Sequence, residues 1–137
     1  MPRAGYFSVI LIDTHIWLWW ATEPSRLSQG QIQAIQSHEA DVIGVSAISC
    51  WEVAKLVQIG RISLGRSVQE FLGLALNYPG MQLLPLTPEI AVASTQLPED
   101  FRSDPADEIL VATARIHGCP LVTSDRKLRA YREVQTI

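Results

Sequence analysis

The sequence predicts an α/β fold: a mainly parallel sheet of four or five strands flanked by helices, in one domain over residues 1–137. Three observations predict it. Val9–Ile12, Val42–Val45 and Leu121–Thr123 are short apolar runs without polar alternation, the pattern of strands covered on both faces. Segments of helical periodicity separate them, as right-handed βαβ crossovers demand. Carboxylates recur where an apolar run hands over to a helix start, or where a helix opens, which is the edge at which an open parallel sheet gathers its ligand-binding groups.

Each element has its own signal. Residues 7–12 read as the first strand and Thr14 to Trp20 as a short Trp-rich helix, with Pro24-Ser25 breaking the chain. From Ser28, Ile32 and Ile35 recur at helical spacing on a polar helix that reaches about His38. Val42 to Val45 is the second strand. Ser46 or Ser49 starts the next helix, whose wide apolar face (Ile48, Trp51, Val53, Leu56, Val57, Ile59) ends at Gly60. Ser67 to Asn77 is a further helix, stopped by Pro79-Gly80, and Gln82 to Leu86 a strand. Thr87-Pro88-Glu89 combines an N-cap, a first-position proline and an early acid, so residues 88–97 read as helix. Asp104-Pro105-Ala106-Asp107 repeats that grammar and opens an apolar helix that stops at Gly118. Leu121 to Thr123 is a strand, Asp125 to Tyr131 a short helix, and Val134 to Ile137 an edge strand.

Composition bounds the function. With 47% apolar and 18% charged residues the chain is globular, and its net charge of −3 provides no bulk basic field for nucleic acid or anionic lipid. The cations are nine Arg against two Lys, a bias toward the planar fork that matches phosphate and carboxylate. Cys50 and Cys119 form no disulfide or zinc spacing and read as buried reduced thiols. Arg3 followed by apolar residues imitates a signal peptide, but Asp13 and His15 interrupt the stretch. No run approaches the roughly 18 apolar residues of a membrane span, so the expected setting is the cytoplasm, with no membrane partner.

The chemistry lies in Asp13, Glu52, Asp107 and Asp125. Each has a structural alternative. Asp13 and Asp125 stand where helix caps belong, Glu52 follows Ser49 in the S-x-x-E capping spacing, and Asp107 favours a helix N-terminus by its charge. Together they would be brought to one edge of the sheet, where close negative charges repel unless a cation joins them. Hard oxygen donors without a His or Cys quartet suit Mg²⁺ or Mn²⁺, and a phosphate ester is the natural substrate of such a metal. Asp104, ahead of Pro105, reads as a cap with a water-mediated metal role as the alternative. His15 reads as a packing or hydrogen-bonding residue. Trp17, Trp19 and Trp20 read as core or interface, with base stacking the lesser alternative. Lys55 reads as a helix-face ion pair with Glu52. Thr123 and Ser124 are read as partners for phosphate or a metal-bound water. Arg115, Arg126 and Arg129 are candidates for an RNA backbone, against a solvated face as the default.

Four segments in register resemble the PIN-domain family, specifically VapC-type toxins of toxin–antitoxin pairs. They are Leu11-Ile12-Asp13-Thr14-His15 with Leu18-Trp19, Ser46 to Ala54 around Glu52, Asp104 to Ala114 around Asp107, and Leu121-Val122-Thr123-Ser124-Asp125. The resemblance implies a PIN-like three-layer sandwich and a ribonuclease. Its four acids would hold one or two Mg²⁺ or Mn²⁺ ions, with Asp13 and Asp107 as direct or near-direct ligands and Glu52 and Asp125 completing the site. It also implies a small VapB-type antitoxin as partner, RNA as substrate, and a homodimer. The subfamily often has Arg where this chain has Glu108, which puts in doubt any contact inferred for that Arg. Two rivals stand beside this reading: a PIN-like module that binds RNA or protein without cleaving, and a phosphohydrolase of haloacid-dehalogenase type. The latter normally needs a second Asp at the position of His15.

Overall fold

The computed structural model describes residues 7–137; Arg3, and with it the start of the stretch that imitates a signal peptide, lies outside the described residues. Four strands form one parallel sheet: β1 (Val9–Ile12), β2 (Val42–Ser46), β3 (Met81–Leu84) and β4 (Leu121–Val122), in the order β3-β2-β1-β4. Beyond β4 the C-terminal segment pairs in parallel through a Leu121–Thr136 bridge, with Leu121 N donating to Gln135 O and Ile137 N to Leu121 O. The edge strand expected over Val134–Ile137 is thus reduced to a single bridge at Thr136 and is not a fifth strand among the described residues.

Among the described residues seven α-helices cover the sheet: α1 (Thr14–Thr22), α2 (Gln29–Ser37), α3 (Ala47–Gln58), α4 (Val68–Ala75), α5 (Pro88–Ala93), α6 (Pro105–His117) and α7 (Arg126–Ala130). Strands with apolar side chains on both faces require a core on each side. Ile10, Ile12 and Val122 enter one core with Trp17, Ile35, Val53 and Phe71, while Leu11 and Leu121 enter the other with Ile90, Leu110, Leu128 and Val134. The result is a three-layer α/β/α sandwich.

Local chemistry sets the boundaries. Ser28 and Gln31 form a reciprocal capping box on α2, Thr87 caps α5, and Gly118 ends α6 in the left-handed region at φ 61°. Several elements are shorter than predicted: β1 starts at Val9 and not at residue 7, α4 spans Val68–Ala75 and not Ser67 to Asn77, and β3 and α5 end early for identifiable reasons. β3 begins one residue early and ends at Leu84, because Pro85 cannot donate to a ladder. α5 stops at Ala93 instead of reaching residue 97. There the Ser94 and Thr95 hydroxyls donate to Ala91 O and Val92 O, and Thr95 N and Gln96 N close three-residue turns. Cys119 is buried, while Cys50 is only half-buried, and both are free thiols.

Strand order carries the functional consequence. The chain steps outward from β1 to β2 to β3, then returns to the other flank of β1 for β4. The carboxyl ends of β1 and β4 therefore bracket a topological switch point, the usual ligand crevice of such sheets.

Candidate active site

Asp13 leaves β1 at that switch point. Ile12 pairs with Val122, and Asp13 N donates to Val122 O at 3.0 Å. The neighbouring Thr123 hydroxyl donates to the Asp13 carboxylate and accepts from Asp125 N at 3.1 Å, so one buried hydroxyl couples two of the four predicted acids. Both aspartates are caps as well: Asp13 Oδ1 accepts from Ile16 N at 2.8 Å and Asp125 Oδ1 from Leu128 N at 3.0 Å.

Glu52 is not a cap. Ser46 caps α3 by accepting from Ile48 N, so the S-x-x-E spacing from Ser49 is a coincidence of sequence. Ser49 is instead fully buried and hydrogen-bonded to the Thr14 hydroxyl at 2.8 Å, and Thr14 donates to Glu52 Oε1. Lys55 donates to Gln58 Oε1 at 2.7 Å and forms no pair with Glu52.

Asp107 lies in the first turn of α6. Asp104 Oδ1 accepts from its amide at 2.9 Å, which is the predicted cap, and the Ser103 hydroxyl donates to Asp107 Oδ2 at 2.8 Å. Glu108 Oε2 accepts from Ser103 N at 3.2 Å and so ties down the loop ahead of the helix.

Electrostatics shows that these side chains share one field. Burial raises the pKa of Asp13, and the charge of Asp125 raises it further, against hydrogen bonds from Thr123 and Ile16 N. Burial raises Glu52, with Asp104 and Asp107 adding to the rise. Burial also raises Asp107, and Asp104, Asp125 and Asp13 all push in the same direction. Five carboxylates drawn from residues 13 to 125 thus act on one another across the carboxyl edge of the sheet. Such an arrangement costs stability, and a bound cation offsets that cost.

The donor set is all oxygen. Among the described residues no three His, Cys, Asp or Glu side chains close into a ready-made cage. Glu52, Asp107 and Asp125 each commit one carboxylate oxygen to the bonds above and keep the other. Open sites with spare carboxylate oxygens fit a small octahedral cation that retains several waters, and fit poorly a soft or tetrahedral metal.

Sequence reasoning missed Thr14, took Ser49 as a possible helix cap, and assigned Thr123 to phosphate or water, whereas its hydroxyl bonds Asp13 and Asp125. Thr14, Ser49 and Thr123 are buried polar side chains in otherwise apolar surroundings, a signal that was available for Thr14 directly after Asp13. Besides its part in the α2 capping box, Gln31 donates from Nε2 to Ser124 Oγ at 3.0 Å and Thr123 O at 3.3 Å, which braces the loop of Asp125. The arginines fall out differently from expectation. Arg115 pairs with Glu133 at 3.5 Å and Arg129 donates to Thr123 O at 2.9 Å. Among the described residues, Arg126 makes no ion pair.

Comparison with known proteins agrees with this fold. The PIN domain family matches residues 10–134. The chain is 38% identical over 130 residues to Ribonuclease VapC22 of Mycobacterium tuberculosis, covering 95% of this chain and 97% of that protein. A chain of VapBC2 from Rickettsia felis, solved bound to a DNA fragment from their promoter, superposes with a TM-score of 0.69 at 12% identity over 94% of this chain and 97% of that one. DNA-bound VapBC from Salmonella typhimurium gives a TM-score of 0.67 at 13% identity over 100% and 98%. At those identities the two solved structures speak for the fold alone, whereas the sequence matches place the whole described site inside the shared region. The chain belongs to the PIN domain family, alongside Ribonuclease VapC22.

Proposed function

We propose that this chain is a Mg²⁺- or Mn²⁺-dependent endoribonuclease, the toxin of a toxin–antitoxin pair, working through Asp13, Glu52, Asp107 and Asp125. One observation carries the reading: the desolvated carboxylates of Asp13, Glu52 and Asp107 meet at the switch point, where the charges of Asp104 and Asp125 add to their repulsion. Asp13, Asp107 and Asp125 would hold the cation. When bound, it supplies positive charge against the negative charge growing on the phosphate oxygens, and it lowers the pKa of water. Thr14 fixes one oxygen of Glu52 and leaves Oε2 free to accept the proton of the attacking water. Burial raises the Glu52 pKa, which makes it a better proton acceptor. Thr123 keeps Asp13 and Asp125 in register with each other, and Ser103 holds Asp107.

The same reading gives the chain a VapB-type antitoxin, RNA as substrate, a homodimeric assembly and a cytoplasmic setting. Trp51 on α3 and Leu74 on α4, 58% and 55% exposed, are apolar surface available for protein contacts. Among the described residues no helix is long and apolar enough to cross a membrane. RNA cleavage in Mg²⁺ or Mn²⁺, run beside Asp13→Asn, tests the proposal. We expect the wild type to cleave and the variant to lose at least about a hundredfold, at 1.36 kcal/mol per decade. Equal activity in the two proteins overturns it.

A further inference from the structure

A groove of about 570 Å³ adjoins the acid cluster, lined by α1, the turn Pro24–Arg26 and the segment leaving α3. Its size falls within the roughly 300–1,000 Å³ of ligand clefts. Leu56, which lines it, follows Glu52 by one helical turn, so a single face of α3 leads from the acids into the groove. His15 lines it from α1, two residues after Asp13. The His15 and Trp19 rings lie 5.8 Å apart, and the Arg26 guanidinium sits 4.4 Å from the centre of the Trp19 ring. Arg61 lines the same groove from the segment after α3, exposed, its side chain without a hydrogen bond or ion pair among the described residues.

Plainer accounts cover only part of this. Trp19 is half-buried against the core and would seal it without any cation on its face. Arg26 pairs with Glu23 at 3.6 Å, but both side chains are more than half exposed, so the pair contributes little. Neither explains Arg61. The acid cluster repels phosphate, and a chain of net charge −3 has no general basic field to compensate. RNA approaching the cluster therefore needs local cations, and these two arginines line the groove that begins at His15, two residues from Asp13. Guanidinium planes and aromatic rings are the surfaces on which unpaired bases stack.

We propose that this groove binds the single-stranded RNA flanking the scissile phosphodiester, with a base stacked against the His15–Trp19–Arg26 cluster and a phosphate held by Arg61. The proposal rests on the ribonuclease reading above and names where its substrate lies. It is tested on the full chain with Arg26→Ala, Arg61→Ala, the double variant and Arg26→Lys. Affinity for a short single-stranded RNA is read by fluorescence anisotropy in EDTA, apart from activity, and KM and kcat are read with Mn²⁺. Arg26→Ala is expected to raise Kd roughly 5- to 100-fold, the range of one lost stacking contact. Arg61→Ala is expected to lower the slope of log affinity against log salt by about 0.7, one phosphate contact on a single strand. Arg26→Lys keeps the charge without the plane, so it retains the salt slope and not the affinity. The loss falls on KM more than on kcat, with melting temperatures matching the wild type.

A double variant that binds and cleaves RNA as the wild type does overturns the groove and leaves the ribonuclease reading standing. A wild type that neither binds nor cleaves RNA overturns both. Variants weakened only toward the antitoxin overturn the RNA assignment in favour of a protein-binding groove.

Discussion

Thr14 on α1 and Glu52 on α3, 38 positions apart in the chain, are joined by a hydrogen bond from the threonine hydroxyl to the glutamate carboxylate. A hydroxyl has one proton to give. With that proton on Glu52, Ser49 must donate to Thr14, and a buried chain Ser49–Thr14–Glu52 results. Thr14→Val removes the hydroxyl at nearly constant volume and leaves Ser49 unpaired at zero exposure. We expect a stability loss of about 1–3 kcal/mol, the usual cost of an unsatisfied buried polar group. Cleavage should fall by roughly 10- to 100-fold, as when an outer-shell partner of a metal site is removed. Thr14→Ser should recover most of both. Urea melts and initial cleavage rates on the three proteins decide it; wild-type rates in Thr14→Val would remove the hydroxyl from the site.

Asp104 separates a capping role from a ligand role. Its Oδ1 accepts from Asp107 N at 2.9 Å, and Asp107 is itself one of the proposed ligands. A cap is replaceable by another cap, whereas a ligand charge is not. Asp104→Ser should keep the fold within a few tenths of a kcal/mol and keep most of the activity, while Asp104→Ala should lose about 1 kcal/mol. Strong loss of cleavage in Asp104→Ser with an unchanged melt would instead place this carboxylate among the ligands.

The sites of Asp13, Asp107 and Asp125 were legible because each abuts a strand-length apolar run or a strong helix start, and parallel-sheet geometry gathers such positions at one edge. Glu52 was ambiguous for a concrete reason. Ser46 and Ser49 both fit a helix start, and only packing against Thr14 decides that Ser49 turns inward. Lys55 shows the same limit: spacing pairs it with Glu52, but Glu52 leans toward α1 and Lys55 donates to Gln58. Arg115 and Arg129 look free in one dimension and are committed to Glu133 and the Thr123 carbonyl in three. Arg26 and Arg61, 35 positions apart, line one groove that no local spacing reveals.

Gly80 tests the frame rather than the chemistry. It holds φ +86°, and a Cβ there would lie 2.5 Å from His38 O and 3.1 Å from Glu39 Cα. Those are backbone atoms of the α2–β2 connection and do not swing aside. Gly80→Ala thus combines left-handed strain with a clash at the entry to β3. Gly60 holds φ +76° with nothing within 4 Å of the same position, so Gly60→Ala carries the strain alone. Strain of this kind costs roughly 1–3 kcal/mol, and Gly80→Ala should exceed Gly60→Ala by at least about 1 kcal/mol in urea melts. Equal costs would mean that the connection yields.

The carboxylate cluster also predicts opposite pH responses with and without metal. Burial, aided by neighbouring charge, holds the pKa values of Asp13, Glu52 and Asp107 above their ordinary values of 3.8, 4.5 and 3.8. The folded state therefore binds more protons than the unfolded state between the ordinary and the raised values. Stability then rises as pH falls through that window, and the contribution is complete below the ordinary values and lost as pH climbs through the raised ones. A divalent cation needs the ionised carboxylates, so its stabilisation grows in the other direction. Melting temperatures measured from about pH 4 to pH 8 should show the Mn²⁺-induced rise increasing with pH. Asp107→Asn removes one repelling charge and one proposed ligand together. Without metal it should melt at or above the wild type near neutral pH, and with Mn²⁺ it should gain much less than the wild type does. An identical Mn²⁺ rise in both proteins removes Asp107 from the ligand set, and a metal-free Asp107→Asn that melts lower at neutral pH contradicts the charge repulsion itself.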